Sequence, residues 1–590
     1  MKSLRALHPL FLKYKYAFLL GILFVAISNY FAVLPPAIIR NLLDGVQQKV
    51  VVYKSITSLS QQQTAEKTIA YWVLTNGLLL VGLAILRGFF MFLMRQTLIV
   101  MSRKIEYDQK NELYQHYQTL DVHFYKTNTI GDLMNRIAED VARVRMYTGP
   151  ALMYTVNLSL LGGMCIWGMW QVHPILTLWV LLPFPFLATT LYLVNKKIYK
   201  KSEHIQAQLS NLTARAQETY AGIRIVKAFA QHSFLEKLFR KESNAYKNSA
   251  LQLSMIESIY FPSMNLFIGL SMLFSVLVGG YLAIQGKTSA GHIAEFIMYI
   301  NLLMFPISSI GWVASIIQRA AASQKRINDF LQTKSTINDS PLAKEQLLNG
   351  DISFDKVNFT YPHTGIQALH NFSLHLPAKS SIAILGKTGA GKSTLIQLLE
   401  RMYDVENGTL LLDGTPIKDI SIKSIRSQIA YASQEPLLFS DTIYQNLLLA
   451  NTSATKEAIE QACKDACLYE EILNMPNQFN TIIGERGVLL SGGQKQRLGI
   501  ARALLKKAPI LVLDDCLSAV DTHTEQHIVQ VLKEKAKHQT TIVITHRIFN
   551  HWDFDQILFL EQGAIKEQGT HEALMQLKGA YFETYTYQNK

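Results

Sequence analysis

"SIAILGKTGAGKST", residues 381–394, decides the fold of the second half of this chain. "SIAIL" is a short apolar run of the kind that forms a buried strand. It leads directly into G-x-x-x-x-G-K-[ST], spanning Gly386 to Ser393, and a helical pattern follows. In such a loop the glycines let backbone N–H groups wrap phosphate oxygens. Lys392 meets the β- and γ-phosphates, and Ser393 offers a hydroxyl to Mg²⁺. The whole loop, Gly386, Lys387, Thr388, Gly389, Ala390, Gly391, Lys392, Ser393 and Thr394, therefore reads as a cradle for ATP and Mg²⁺.

Three later stretches gain meaning from this loop. "ILVLD" (510–514) is a second apolar strand, and it ends in Asp514, placed to hold Mg²⁺ through water. Asp515 follows at once, a second carboxylate suited to activating a water nucleophile. "TIVITHR" (541–547) is another apolar strand and leaves His546 at the carboxyl end of a parallel sheet, where such folds bind ligands. A lone histidine at a strand end is otherwise structural. In "LSGGQKQRLGIARALL" (490–505) Ser491 is a helix cap, and Gly492 and Gly493 leave backbone amides bare at the start of an apolar helix. That is a second anion site. Two phosphate-binding devices in one domain make sense if each serves a different nucleotide, which requires a second nucleotide domain facing this one.

Bulk composition points to two environments. At 590 residues the chain exceeds one core. With 49% hydrophobic and 17% charged residues and a mean hydropathy of +0.12, it suits a membrane half joined to a soluble half. The formal charge of +13 is spread between apolar stretches and forms no single patch, so nucleic acid is not expected as a partner. Cys165, Cys463, Cys467 and Cys516 are too scattered for a disulfide framework. Cys463 and Cys467 lack histidines at zinc spacing and read as small apolar residues.

Apolar stretches long enough to span a bilayer occur near 14–39, 69–100, 148–172, 175–195, 257–285 and 292–318. The first lacks a small-residue cleavage site and is expected to stay as an anchor. So little precedes it that a fused peptidase is not expected. Residues 198–250 carry Lys200, Lys201, Arg215, Arg224, Lys227, Lys237, Arg240, Lys241 and Lys247, whereas "QVHP" (171–174) has no Lys or Arg. The N-terminus, both long loops and the second half are therefore expected in the cytoplasm. "LRALHPLFLKYK" suits a short basic helix lying on the inner membrane surface. The loops 101–147 and 196–256 keep helical patterns without turn clusters, so the spanning helices are expected to project well beyond the bilayer, as a domain gripping a cytosolic motor requires. The division is then an all-α membrane domain over 1–332, a polar linker over 333–350, and an α/β nucleotide domain over 351–590. Phe296, Met298, Tyr299, Met304 and Phe305 near the last span suit packing, lipid contact or an adaptable cavity lining. Glu295 stands out there, because a carboxylate in a span has a partner or a task unless it sits at the headgroup level.

Taken together, "GKTGAGKST", "LSGGQ" and "LVLDD" behind six spans resemble a half-transporter of the ATP-binding cassette superfamily, of the exporter type, over nearly the whole chain. The resemblance implies further roles. Tyr361 in "VNFTYP" is similar to the aromatic that stacks on adenine. Gln434 in "YASQEPLLFSDTI" is similar to the glutamine that senses Mg²⁺ and links to the membrane domain. Glu485 matches the loop before the signature, and Asp521 the end of a segment crossing the dimer interface. His546 matches the histidine that contacts the γ-phosphate, and Ser491, Gly492, Gly493 and Gln494 the signature that binds the partner's ATP. Residues 124–145 and 217–231 resemble the two intracellular coupling segments, the second of which reaches the partner's nucleotide domain. The departure is Asp515, where most members carry glutamate.

The resemblance implies an ATP-hydrolysing efflux pump of the bacterial inner membrane, working as a dimer with itself or a related chain on a drug-like or lipid substrate. Its alternatives are a slow-hydrolysing subunit of a heterodimeric exporter and a nucleotide-gated regulator or channel on the same scaffold. The charge pattern makes a direct prediction about orientation. A cysteine placed at Ser58 is expected to react with an impermeant thiol reagent from outside sealed cells, and one placed at Ser210 is not. Reversed labelling overturns the orientation.

Overall fold

The computed structural model describes residues 2–548 and 552–588, and these form two compact bodies. One comprises Met1–Gln118 and Gly131–Thr333, the other Thr119–Ile130 and Lys334–Lys590. The second therefore includes twelve residues from the middle of the helical half. The coupling segment expected at 124–145 is divided between the two, at Ile130.

Among the described residues, six helical rods are long and apolar enough to cross a membrane and form most of the first body: α1 (Lys15–Ser55), α2 (Leu59–Thr119), α3 (Ile130–Val172), α4 (Pro174–Ala221), α5 (His232–Ile284) and α6 (Ala290–Leu331). Each outruns the ~20 residues that a bilayer requires, as the patterned loops led us to expect. Two π-helical turns, Arg136–Asp140 and Tyr147–Ala151, interrupt α3, and the second contains Pro150. A proline has no N–H for the helical ladder, and a widened turn accommodates it. Between α4 and α5 the chain breaks at Gly222 into a short helix, Ile223–Ala228. There Tyr220, Ile225, Phe229 and Phe234 are all exposed.

Buried polar side chains tie α6 to its neighbours. At one end Gln324 accepts a 3.1 Å hydrogen bond from Gln109 of α2, and Arg326 meets the buried Asp140 of α3. At the other, Asp44 of α1 accepts from the Gly291 N–H (3.0 Å) and the Ser289 hydroxyl (2.6 Å), clamping the capped start of α6. Glu295, only 1% exposed, is paired with Arg40 of α1 at 3.0 Å and accepts from the Tyr299 hydroxyl at 3.2 Å. The partner that the sequence asked for is thus Arg40. Phe296 and Tyr299 belong to the packed core between helices, Met304 rests against it, and Phe305 is exposed.

The second body is α/β. A four-stranded antiparallel sheet has the order β2-β1-β4-β5, from β1 (Ile352–Thr360), β2 (Gln367–Leu376), β4 (Asn407–Leu412) and β5 (Thr415–Pro416). A six-stranded sheet has the order β10-β9-β3-β8-β7-β6. Its strands are β3 (Ser381–Gly386), β6 (Ile429–Ala432), β7 (Ile510–Asp514), β8 (Thr540–Ile544), β9 (Gln556–Glu561) and β10 (Ala564–Gly569). Only β10 runs antiparallel to its neighbour. β7 and β8 are buried at every residue, as strands covered on both faces must be. Cys463 and Cys516 lie in this core, where burial pushes both thiols up to about 12, so they are inert packing groups.

Within this body, helix Val122–Thr127 is capped by Asp121, whose carboxylate accepts from Phe124 N–H (2.9 Å), Thr336 N–H (2.5 Å) and the Thr336 hydroxyl (2.6 Å). Val122 packs against the apolar core shared by the two sheets.

Breaking a buried ion pair from one side leaves an uncompensated charge, at a cost of about 3–5 kcal/mol. Arg40→Ala should therefore lower the thermal midpoint of the detergent-solubilised protein markedly. Arg40→Met with Glu295→Leu should recover most of the loss. Equal midpoints for wild type and Arg40→Ala would show that the pair is not buried as described.

Candidate functional site

Parallel register brings the site together. β3, β8, β7 and β6 are consecutive neighbours, with Ile384 opposite Ile544, Asp514 opposite Ile544, and Leu513 opposite Ala432. Their carboxyl ends are level, so the loops after them emerge along one edge, where α/β sheets bind ligands. β3 releases the Gly386–Thr394 loop, β7 ends in Asp514, and Gln434 and His546 each lie two residues past their strands.

The phosphate loop wraps the start of α7 (Lys392–Leu399). Gly391 has φ +96°, and a Cβ there would lie 2.5 Å from the Ala368 carbonyl oxygen, so only glycine fits. The Lys392 ammonium donates to the carbonyls of Gly386 (2.7 Å) and Lys387 (3.0 Å), folded over its own loop. Burial holds this ammonium below its usual range, opposed by the charges of Asp514 and Asp515.

Asp514 faces it. Its Oδ2 accepts from the Ser393 hydroxyl (3.2 Å) and the Tyr431 hydroxyl (3.3 Å). Burial raises this carboxyl above its ordinary value, against the pull of those two bonds and of Lys392. Burial thus penalises both a cation at Lys392 and an anion at Asp514, and an incoming opposite charge relieves each. Phosphate at the first and a hard dication beside Ser393 and Asp514 fit this donor set.

Asp515 adopts the left-handed conformation, φ +45°, which Asp tolerates better than most residues. Its N–H donates to the Ile544 carbonyl (2.8 Å), and its Oδ2 accepts from Gln434 Nε2 (3.1 Å). The backbone bond joins the Asp515 turn to the strand that leads to His546.

Tyr361, Thr388, Gly389, Gly391, Lys392, Ser393, Thr394, Gln434, Asp514, Asp515 and His546 line one open cleft, a concave site of the kind that takes small-molecule ligands. The Tyr361 hydroxyl is anchored at Thr394 Oγ1 (2.9 Å) and Gln397 Oε1 (3.1 Å), which fixes its ring at the rim. Lys126, from the 119–130 segment, also lines the cleft. The sequence places Lys126 in the expected coupling segment 124–145 but does not mark it as a cleft residue.

Ser491, Gly492, Gly493, Gln494 and Asp521 are not among the residues lining this cleft. Ser491 caps α8 (Gly492–Leu505). Its hydroxyl accepts from Gln494 N–H (3.3 Å), while Gln494 Oε1 accepts from Ser491 N–H (2.9 Å). This reciprocal box leaves the amides of the two glycines free. A Cβ on Gly493 would come 2.8 Å from the Ala519 carbonyl oxygen, so the glycine also permits close approach of the 517–520 turn. Asp521 caps α9 (Thr522–Ala536), accepting from Thr524 N–H at 3.0 Å. Gln496, unmarked in the sequence, ties the two halves of the site. Its amide donates to the Gln434 carbonyl (3.2 Å) and accepts from Ala519 N–H (2.9 Å).

Residues 18–307 match the family described as the ABC transporter transmembrane region, and residues 369–518 match the family described as ABC transporter. The chain is 33% identical over its full length to the uncharacterized ABC transporter ATP-binding protein YknU of Bacillus subtilis, covering 98% of that protein. It is 32% identical to the multidrug resistance-like ATP-binding protein MdlA of Escherichia coli, over 94% of this chain and 91% of the relative. To the ATP-dependent lipid A-core flippase of Photobacterium profundum it is 34% identical, over 86% and 87%. Among solved structures, a bacterial Atm1-family ABC exporter with ATP bound superposes with a TM-score of 0.76 at 26% identity, covering 96% of this chain and 98% of that one.

The geometry of the loop yields a contrast between two glycines. Gly391→Ala combines left-handed strain with a backbone clash, so nucleotide affinity should fall about tenfold or more, given ~1–2 kcal/mol for the strain alone. Gly389 also has positive φ, but a Cβ there meets nothing within 4 Å, so Gly389→Ala should lose less. Titration with a fluorescent ATP analogue measures both, and equal losses would contradict the described packing at Ala368.

Proposed function

This chain belongs to the ATP-binding cassette transporters, as an exporter half in which a membrane region precedes an ATPase domain, and on that premise we propose that two such halves together expel a hydrophobic or amphiphilic molecule, drug-like or lipid-like, from the cytoplasm. One observation carries the reading: the chain has two anion-binding devices, and the signature residues Ser491–Gln494 do not line the cleft of Lys392. Head-to-tail pairing would set each signature against the other half's cleft, so that each ATP is held by both chains. The exposed Tyr220, Ile225, Phe229 and Phe234 at the turn between α4 and α5 support a second chain as well, since apolar groups clustered at a loop tip suit docking. Its bacterial relatives favour the cytoplasmic membrane. The relatives' names, one multidrug and one lipid, support the substrate class.

Within each site, Tyr361 would stack on adenine and the Gly386–Thr394 loop would hold the phosphates. Ser393 and Asp514, with Gln434, would hold Mg²⁺, which supplies neutralisation of phosphate charge when bound. His546 would contact the γ-phosphate. ATP favours the closed pair because only that state uses both devices, and closure is what would turn the membrane cavity outward.

Asp515 favours a refinement of this reading, a slow site in a heterodimer. Phosphoryl transfer depends mostly on positioning, and a carboxylate drawn back by one methylene aligns water poorly. A displacement of ~1 Å can cost about 100-fold in rate. The bond from Gln434 holds Asp515 in place without lengthening its reach.

Reconstituted vesicles test the pump. Lys392→Ala should abolish both ATP turnover and ATP-dependent substrate movement; movement that persists without hydrolysis would instead mark a nucleotide-gated channel. Single-turnover hydrolysis tests the refinement. Asp515→Glu should raise the rate at this chain's own loop, and Asp515→Asn should lower it with nucleotide binding intact. A wild-type rate that Asp515→Glu leaves unchanged or reduces would show that the loop already aims the shorter acid correctly.

A further inference from the structure

Glu471 lies on the short helix Tyr469–Leu473, outside every motif in the sequence, yet its two carboxylate oxygens reach the signature helix. Oε2 accepts from Gln494 Nε2 at 2.7 Å, and Oε1 pairs with Arg497 Nη1, also at 2.7 Å. Gln494 and Arg497 are one turn apart on α8, so a single carboxylate bridges them. Arg497 is nearly buried, and its guanidinium also donates to the Cys467 carbonyl (2.6 Å) and toward the Gly493 carbonyl (3.4 Å).

We infer that Glu471 is a positioning residue for the signature: it sets the orientation of the Gln494 amide, and through it the cap that keeps the Ser491–Gly493 anion site formed. This rests on the reading above, in which that site captures the partner's ATP. The reason is chemical. A carboxylate only accepts, so it draws the NH₂ face of Gln494 toward itself. The carbonyl face must then point at Ser491 N–H, the bond that closes the capping box. Flipped, the amide would set its NH₂ against the Ser491 N–H, and the box would open. The charge on Glu471 also pairs Arg497, whose bond to the Gly493 carbonyl orients the second glycine. Aspartate keeps both acceptor oxygens on a shorter stem. Glutamine keeps the shape and loses one acceptor, so its own NH₂ must face either Gln494 or Arg497, donor to donor.

The test uses the full-length chain in nanodiscs, with the half that co-purifies with it, and four proteins: wild type, Glu471→Gln, Glu471→Asp and Gly492→Asp. The last puts a negative charge into the anion site and tests the underlying reading. Glu471→Gln should raise the KM for ATP about tenfold, as expected for loss of a charge-assisted hydrogen bond. Its kcat should change less, its thermal midpoint should fall only slightly, because Glu471 is part-exposed and Arg497 keeps the Cys467 carbonyl, and its affinity for a fluorescent ATP analogue at the Lys392 loop should stay the same. Glu471→Asp should restore much of the KM. Loss of turnover in Gly492→Asp with a wild-type KM in Glu471→Gln would overturn the inference and leave the reading standing. A lowered midpoint and kcat at unchanged KM would also overturn it, since that is what a brace of the fold alone would give. Full turnover in Gly492→Asp would remove the reading, and the role of Glu471 with it.

Discussion

Level pairing of β3, β8, β7 and β6 is the constraint on which the α/β body depends. Side chains alternate along a strand, so a slip of one residue would turn each buried side chain to the other face. With these strands covered on both faces, register is fixed by the packing of nearly every residue in them. The consequence is that four loops distant in sequence end on one edge. Lys392, Asp514, Gln434 and His546 converge because their strands are neighbours, and Asp515 is joined to β8 by its own backbone N–H. The electrostatics follow from the same packing. Asp514 is buried because it ends a buried strand, and Ser393 and Tyr431 are the donors that make its charge tolerable there.

A second constraint acts between chains. The phosphate loop and the Ser491–Gln494 cap of one chain do not line the same cleft, which under the proposed pairing leaves each to be met by a second chain. That chain would be a second copy or a related one. The short acid at Asp515 bears on which of these it is. On the proposed reading of the short acid, both sites of a symmetric pair would be slow, whereas in a mixed pair this chain's signature would serve a partner site that need not be.

The helical body is organised around α6. Polar side chains buried in an apolar bundle must find partners, and here the partners lie on different helices: Arg40 and Asp44 on α1, Gln109 on α2 and Asp140 on α3. These bonds hold both ends of α6 to specific neighbours, which apolar contact against lipid-like surroundings does less well.

The chain's local chemistry determined the elements and much of the site. Six apolar runs of spanning length, the phosphate loop between a strand and a helix, Asp514 at a strand end and the cap at Ser491 are each written in one uninterrupted stretch of sequence. Such features depend on backbone geometry and on contact with solvent or lipid, both of which a short stretch specifies for itself. Tertiary structure alone decided the rest. It joined Arg40 to Glu295 across 255 positions, Tyr431 to Asp514, Gln434 to Asp515 and Glu471 to Gln494. It also assigned residues 119–130 to the nucleotide-binding body, where Lys126 lines the cleft. The sequence could ask for a partner for Glu295 or mark 124–145 as a coupling segment, but it could not name the residues that meet them. A hydrogen bond is specified by the positions of two atoms, and when those atoms lie on separate elements only the packing of the elements brings them within reach.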